Sequence, residues 1–378
     1  MTEGHPVPAS GLEGVIAAQT ALSWIDGQRG MLVYRGYTID DLARHATFEE
    51  VVHLLLEGSL PTRAQLDETR ARLAKLATLP QRVVDSLRAL PAETTPMEAL
   101  RSGVSLLGTG LPTFERVDIG AVRDEAYAIV ARIPTVIGAF ERIRNGLEPL
   151  DPDPDRSAAH NFMVGITGKE PDDEIERAMD VALVIHAEHT LNASTFAARL
   201  SASTLSDIYS AVTAAIGALR GPLHGGANEQ VARMLDEIDS VAAVAPHIDA
   251  KLARKERIMG FGHRIYKTED PRAPHLRDWA QRIAENTGLA DTVAKALKVQ
   301  EVVFDRKGLY VNVDFFSAPL YTAMGIPRDL FTPIFAASRS VGWTAHVLEQ
   351  QSDNRLIRPS SEYVGDRRND WVPIDQRD

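Results

Sequence analysis

Hydrophobic positions recur along most of this chain at intervals of three and four, the spacing that lines one face of a helix. Thr47-x-x-Glu50 opens a run carrying Val51, Val52, Leu54, Leu55 and Leu56, and Thr62-x-x-Gln65 opens another carrying Leu66, Leu73 and Leu76. Both starts read as capping boxes, in which side chains satisfy the orphan N–H groups of the first turn. Ile129, Ile133, Val136, Ile137 and Phe140 continue the helical pattern, with Pro134 expected to kink it. Residues 147–155, rich in Pro and Asp, read as a loop. The period resumes at Ile175, Met179, Leu183 and His186, and breaks at Gly221-Pro222 and again at Pro271-Arg272-Ala273-Pro274. Only the N-terminal part departs from it. Residues 21–25 and 31–34 flank Asp26-Gly27-Gln28-Arg29-Gly30, which predicts a small β-hairpin. After residue 40 strand-like alternation is nearly absent, so the fold class is all-α. From Pro359 onward the chain is polar and charged and is expected to wrap the surface. No tandem repeat interrupts the pattern.

Composition narrows the function. A chain of 378 residues, 44% of them apolar, can build a large core, and a prior of about 150 residues per domain suggests two or three domains. The net charge of −11 argues against nucleic acid or an anionic membrane as partner, so any anionic ligand needs a local basic pocket. The absence of cysteine removes disulfides, thiolate metal sites and thiol nucleophiles together. Residues 1–10 show neither a basic n-region nor an apolar h-region, and no apolar run approaches the ~20 residues of a membrane span. A soluble, cytoplasmic protein is expected.

Four segments carry candidate chemistry. The first is Met259-Gly260-Phe261-Gly262-His263-Arg264-Ile265-Tyr266-Lys267, followed by Asp270-Pro271-Arg272. Gly260 and Gly262 allow backbone to approach a ligand, His263 can donate to a carbonyl oxygen, and Arg272 can fork onto a carboxylate. The second is His186-Ala187-Glu188-His189, whose histidines share a helix face. They read as buried hydrogen-bonded side chains, as a polar ligand contact at His189, or as metal ligands with Glu188 as a third group. The lack of a His-Glu-x-x-His pattern weighs against the metal. The third, Gly221-Pro222-Leu223-His224-Gly225-Gly226, sets His224 on a turn leading into the helix of Val231 and Leu235. A histidine beside a helix N-terminus stays neutral and can donate to a developing enolate oxygen, although a turn histidine is often only a surface residue. The fourth is Asn312-Val313-Asp314-Phe315-Phe316. Among apolar neighbours Asp314 would gain pKa and serve as a base, whereas an N-capping aspartate would keep a low one. Arg339 and Arg358 complete the set, but with thirty-three arginines in the chain any single one is weak evidence.

At these residues, and at Gly11-Leu12-Glu13-Gly14-Val15, Tyr34-Arg35-Gly36-Tyr37 and Arg358-Pro359, the chain resembles the citrate synthases, in the shorter form found in many bacteria and archaea. The resemblance implies an almost wholly helical homodimer. A large domain (residues 1–221 and 323–378) and a small one (222–322) would close over oxaloacetate and acetyl-CoA. It implies that Asp314 removes a methyl proton from the thioester, that His224 stabilises the enolate, and that His263 polarises the oxaloacetate ketone. His189, Arg272 and Arg339 would contact the keto acid, and Arg358 would do so in the other subunit's site. Citryl-CoA would then be hydrolysed, with coenzyme A a co-substrate and no metal or permanent cofactor. CoA phosphates would meet Lys267 and the backbone of Gly260–Gly262, with Arg257 and Lys307 as further contacts. The longer NADH-regulated forms carry an N-terminal region that this match lacks, so no NADH regulation is expected. A 2-methylcitrate synthase acting on propionyl-CoA has the same catalytic set. A histidine-metal hydrolase and a non-catalytic CoA-binding dimer are the readings from other classes.

Overall fold

The computed structural model describes residues 10–12, 14–111, 117–366 and 368–377. Almost all of the signal-peptide reading on residues 1–10, together with Glu13 of the first family motif, lies outside them. Three short strands open the fold. β1 (Ser23–Asp26) pairs antiparallel with β2 (Met31–Tyr34), and β2 with β3 (Tyr37–Thr38), a third strand that the hairpin pattern did not indicate. Helices follow in the order α1 (Ile39–His45), α2 (Phe48–Glu57), α3 (Arg63–Leu76), α4 (Gln81–Arg88), α5 (Pro96–Leu107), α6 (Ile119–Arg144), α7 (Ala158–Thr167) and α8 (Asp173–His186). Then come α9 (Ala193–Ser203), α10 (Ile208–Leu219), α11 (Ala227–Asp236), α12 (Val244–Ala253), α13 (Ala273–Thr287), α14 (Ala290–Lys307), α15 (Val313–Ala323) and α16 (Phe331–Ser352).

The local signals work as physics requires. Thr47 and Thr62 cap α2 and α3 with Glu50 and Gln65 reaching back, and Thr95 with Glu98 does the same for α5 behind Pro96. Pro134 sits inside α6, and Pro274 opens α13, so the second break is also a helix start. Helix α16 is buried on every side, from Phe331 through Trp343 to Leu348, as a central core helix must be. It packs on α6, α8, α9 and α10, while α11, α13, α14 and α15 pack on one another. No helix among the described residues is long and apolar enough to cross a membrane.

Every described residue of the tail from Pro359 onward is exposed. Among the described residues its hydrogen bonds beyond residue 360 are local, such as Tyr363 to Asp366 O and Arg377 to Val372 O. Tyr363, Val364, Trp371 and Ile374 stand exposed. An expectation drawn from its charge overlooked these apolar side chains, which this chain's own core does not cover.

Candidate active site

Six of the sequence candidates meet at one cavity of about 700 Å³, lined by His189, His224, His263, Arg272, Asp314 and Arg339. Separate segments between residues 189 and 339 supply them: the turn after α8, the turn before α11, the glycine turn before α13, the start of α15 and the middle of α16.

The start of α15 sets Asp314. Asn312 is the N-cap and accepts the Asp314 N–H at 3.1 Å, so the capping role belongs to Asn312. Among the described residues no donor reaches the Asp314 carboxylate. Burial lifts its pKa from 3.8 to about 6, with Arg272 and Arg339 opposing and Asp270 reinforcing the shift. The neighbouring Asp270 is held the opposite way. It takes a fork from Arg272, Nε at 2.9 Å and Nη2 at 2.7 Å, together with the backbone N–H of Arg272 at 3.1 Å and of Val313 at 3.3 Å. Burial alone would raise Asp270, but the Arg272 guanidinium and these bonds hold it below the usual carboxylate range. Arg272 is thus pinned through one edge, and its Nη1 has no partner among the described residues.

Both catalytic-candidate imidazoles have fixed tautomers. His263 Nδ1 accepts the backbone N–H of Ile265 at 3.0 Å and of Tyr266 at 3.2 Å, so its proton sits on Nε2. At His224 the N–H of Ser194 points to Nε2 at 3.3 Å with Ser194 Oγ at 2.8 Å, which leaves the proton on Nδ1. Ser194 lies in the first turn of α9, below its Asn192 cap. The helix terminus that bonds His224 is therefore that of α9, brought in by tertiary packing, rather than that of the α11 which follows it in sequence. Burial lowers both rings to about 4, with Arg339 adding to the effect on His224 and Arg272 to that on His263. Both are neutral donors at physiological pH.

His189 lies 5.2 Å from His263, centre to centre, with its Nε2 3.2 Å from the Tyr266 hydroxyl. Arg339 is buried, donates through Nε to His186 O at 2.6 Å and lies over the Phe335 ring, while its buried Nη2 has no partner among the described residues. A buried guanidinium with an unsatisfied edge suits an anion. The groups weighed as metal ligands point apart. His186 Nδ1 bonds Ala182 O, Glu188 accepts from Ser23 and His346, and no group of three potential ligands exists among the described residues.

The remaining candidates stand outside the cavity. Arg358 is exposed on the tail beyond α16. Arg257, Lys267 and Lys307 are exposed, and Lys267 Nζ turns to Arg264 O at 3.3 Å. Gly262 N–H is already bonded to Tyr310 O at 2.8 Å, and Gly260 O accepts from Asn312 N at 2.9 Å. This pairing ties the glycine turn to the start of α15. A Cβ on Gly260 would come within 2.8 Å of both Phe315 and Val231. The close approach that needs glycine at Gly260 is thus to protein, whereas a Cβ on Gly262 would meet nothing and glycine there serves a positive φ of 75°. Sequence patterns assigned no role to Ser194, Asp270 or Tyr266, which bond site residues, nor to Phe335, Arg264, Gly14, Val15 and Ala17, which also line the cavity. Only Asp270, two residues before a candidate arginine, carried a usable signal.

Such a cavity can take a proton from a weak carbon acid while a neutral donor receives the enolate oxygen and guanidiniums hold an anionic acceptor. Fold and site therefore define a condensing enzyme. Residues 11–360 match the family model described as citrate synthase, C-terminal domain. The chain is 47% identical to "Citrate synthase 2" of Bacillus subtilis over 97% of its own length and 98% of that protein's. It is 42% identical to a 2-methylcitrate synthase of Shewanella oneidensis over the full length of both. It superimposes with a TM-score of 0.92, at 35% identity and over 97% and 99% of the two chains, on citrate synthase of Thermoplasma acidophilum solved with carboxymethyl coenzyme A and oxaloacetate. The chain belongs to the citrate synthase family.

Proposed function

We propose that this enzyme condenses acetyl-CoA with oxaloacetate and hydrolyses the citryl-CoA formed, giving citrate and free CoA. The observation that carries this reading is the single cavity in which an unpaired carboxylate faces two neutral imidazoles and two buried guanidiniums. Asp314 takes a methyl proton from the thioester. His224, through Nδ1–H, holds the thioester oxygen as it becomes an enolate. His263, through Nε2–H, polarises the oxaloacetate ketone and delivers a proton to the new alkoxide. Arg272, Arg339 and His189 hold the keto acid, and a water then cleaves the thioester.

The chain works as a cytoplasmic homodimer in this reading, with Arg358 of the partner subunit completing each site. Its exposure outside the chain's own cavity supports that role. Residues 222–322 move against the rest to close the site. Coenzyme A is a co-substrate, and no resident cofactor takes part. Lys267, Arg257 and Lys307 are exposed cations suited to its phosphates, joined by Arg264 at the cavity wall.

The test is release of free thiol from acetyl-CoA and from propionyl-CoA, each with and without oxaloacetate. Release that depends strictly on oxaloacetate supports the reading, and release without it refutes it. The second reading, a 2-methylcitrate synthase, is favoured by the full-length similarity to such an enzyme. A difference of one methylene changes binding by only ~1–3 kcal/mol, so the ratio of the two kcat/KM values decides between them.

A further inference from the structure

Behind the site runs a chain of buried polar groups that the proposed chemistry does not use. Glu188, fully buried, precedes His189. Its Oε1 accepts from Ser23 Oγ at 2.9 Å and from His346 Nε2 at 3.0 Å. Ser23 Oγ also receives the N–H of Thr190, a non-glycine residue at φ 52° just after His189. Tyr34 closes the same turn, with its hydroxyl 2.8 Å from Glu188 O. A left-handed threonine persists only where its surroundings hold it. Here strands β1 and β2 do so.

On its other side His346 Nδ1 lies 3.0 Å from Arg199 Nη1. Arginine only donates, so Nδ1 accepts and the His346 proton sits on Nε2, directed at Glu188. Arg199 also donates to Glu349 at 2.6 Å and to Gln350 Oε1 at 3.1 Å. The Gln350 amide bonds Asn354 Oδ1 at 3.1 Å and Arg355 O at 3.2 Å. Ser203, one turn beyond Arg199 on α9, receives the N–H of Ile357 at 3.1 Å, and its carbonyl receives the Asn354 amide at 3.0 Å. The next residue is Arg358. The bonds therefore run without a gap from the His189 turn to the root of the tail.

We propose that Glu188, His346 and Arg199 form a positioning relay that sets the turn bearing His189 and the root of the tail bearing Arg358 as one unit. This rests on the reading in which both residues contact the keto acid. In the dimer of that reading the relay joins a contact in one site to a contact in the other. None of the three touches substrate. They act by fixing side chains that do.

Two substitutions cut the relay on opposite sides. His346→Asn keeps an acceptor near the Nδ1 position for Arg199 and loses the donor to Glu188. His346→Gln keeps a donor near the Nε2 position and loses the acceptor for Arg199. Each is expected to raise the KM for oxaloacetate about tenfold while kcat stays within about threefold. The effect of His346→Asn should vanish in a His189→Ala background, and that of His346→Gln in an Arg358→Ala background, because residues acting through one another do not add. Ser23→Ala, which removes one bond to Glu188, replaces His346→Asn if that variant does not fold. Glu349→Gln, which weakens the hold on Arg199, replaces His346→Gln. If His189→Ala and Arg358→Ala raise KM but the second substitution multiplies their effect in full, the relay is wrong and the site reading stands. If His189→Ala and Arg358→Ala leave KM unchanged, the site reading fails and the relay falls with it.

Discussion

Asp270 and Asp314 sit at the two ends of one short link, Val313 N–H to Asp270 Oδ2, yet the protein keeps them in opposite states. Asp270 is saturated with donors and shares an ion pair with a buried arginine, so it is a fixed charge. Asp314 lines the cavity and receives no donor among the described residues, and desolvation leaves it a base within reach of neutral pH. Two neighbouring aspartates thus differ in whether hydrogen bonds and a counter-charge were supplied. A carboxylate that must position something is bonded. One that must take a proton is left unbonded.

The comparison breaks most sharply at Asp314. Asp314→Ala is expected to lower kcat by ~10²–10⁴-fold in the thiol-release assay while oxaloacetate binding changes little. Retention of more than about a tenth of wild-type kcat would place the base elsewhere. Asp270→Asn should act on the other side. It leaves Arg272 buried without its counter-charge, which costs about 3–5 kcal/mol of stability in urea unfolding and raises the KM for oxaloacetate. A variant as stable as wild type would show that the pair is not needed.

A third expectation concerns pH and carries opposite signs for the two residues. The folded pKa of Asp314, about 6, exceeds its unfolded value of about 3.9, so the folded state loses stability as pH rises through that window. The loss is on the order of 2–3 kcal/mol and is complete above pH 6. Asp314→Asn should therefore be more stable than wild type at pH 7.5, with the gap closing below about pH 4. Asp270 has a depressed folded pKa, so its contribution is present above its unfolded value and is lost only as pH falls through the folded one. Unfolding midpoints from pH 3.5 to 8 check the sign for Asp314, and extending the scan below the ordinary carboxylate range checks the sign for Asp270.

Much of this was legible in the sequence. The 3.6-residue period, the threonine caps at Thr47 and Thr62 and the hairpin flanking Asp26–Gly30 foretell the elements, because each depends on neighbours in the chain. His189, His224, His263, Arg272, Asp314 and Arg339 stood out through motif and family resemblance, and the fold brings them together. What escaped depends on contacts between distant segments. Ser194 fixes the His224 tautomer from thirty residues away. Gly262 gives its N–H to Tyr310, a pairing between the glycine turn and the segment before α15 that no local pattern announces. Asn312 takes the cap that would have quieted Asp314, and nothing local distinguishes the two residues as cap candidates.

The central claim is that Asp314 is an unpaired base among neutral histidines, and the pH dependence of thiol release with both substrates well below saturation tests it most directly. Such a rate reports ionisation of the free enzyme. His224 and His263 titrate near 4, which leaves Asp314 as the cavity group that changes charge near pH 6. Asp180, raised to about 7, lies away from the cavity on α8, bonded to Phe48 N and Arg177. The account predicts a rate that climbs with pH through a midpoint near 6, a limb kept in Asp180→Asn. A midpoint near 4, or a limb near 6 that survives in the residual activity of Asp314→Asn, would contradict it.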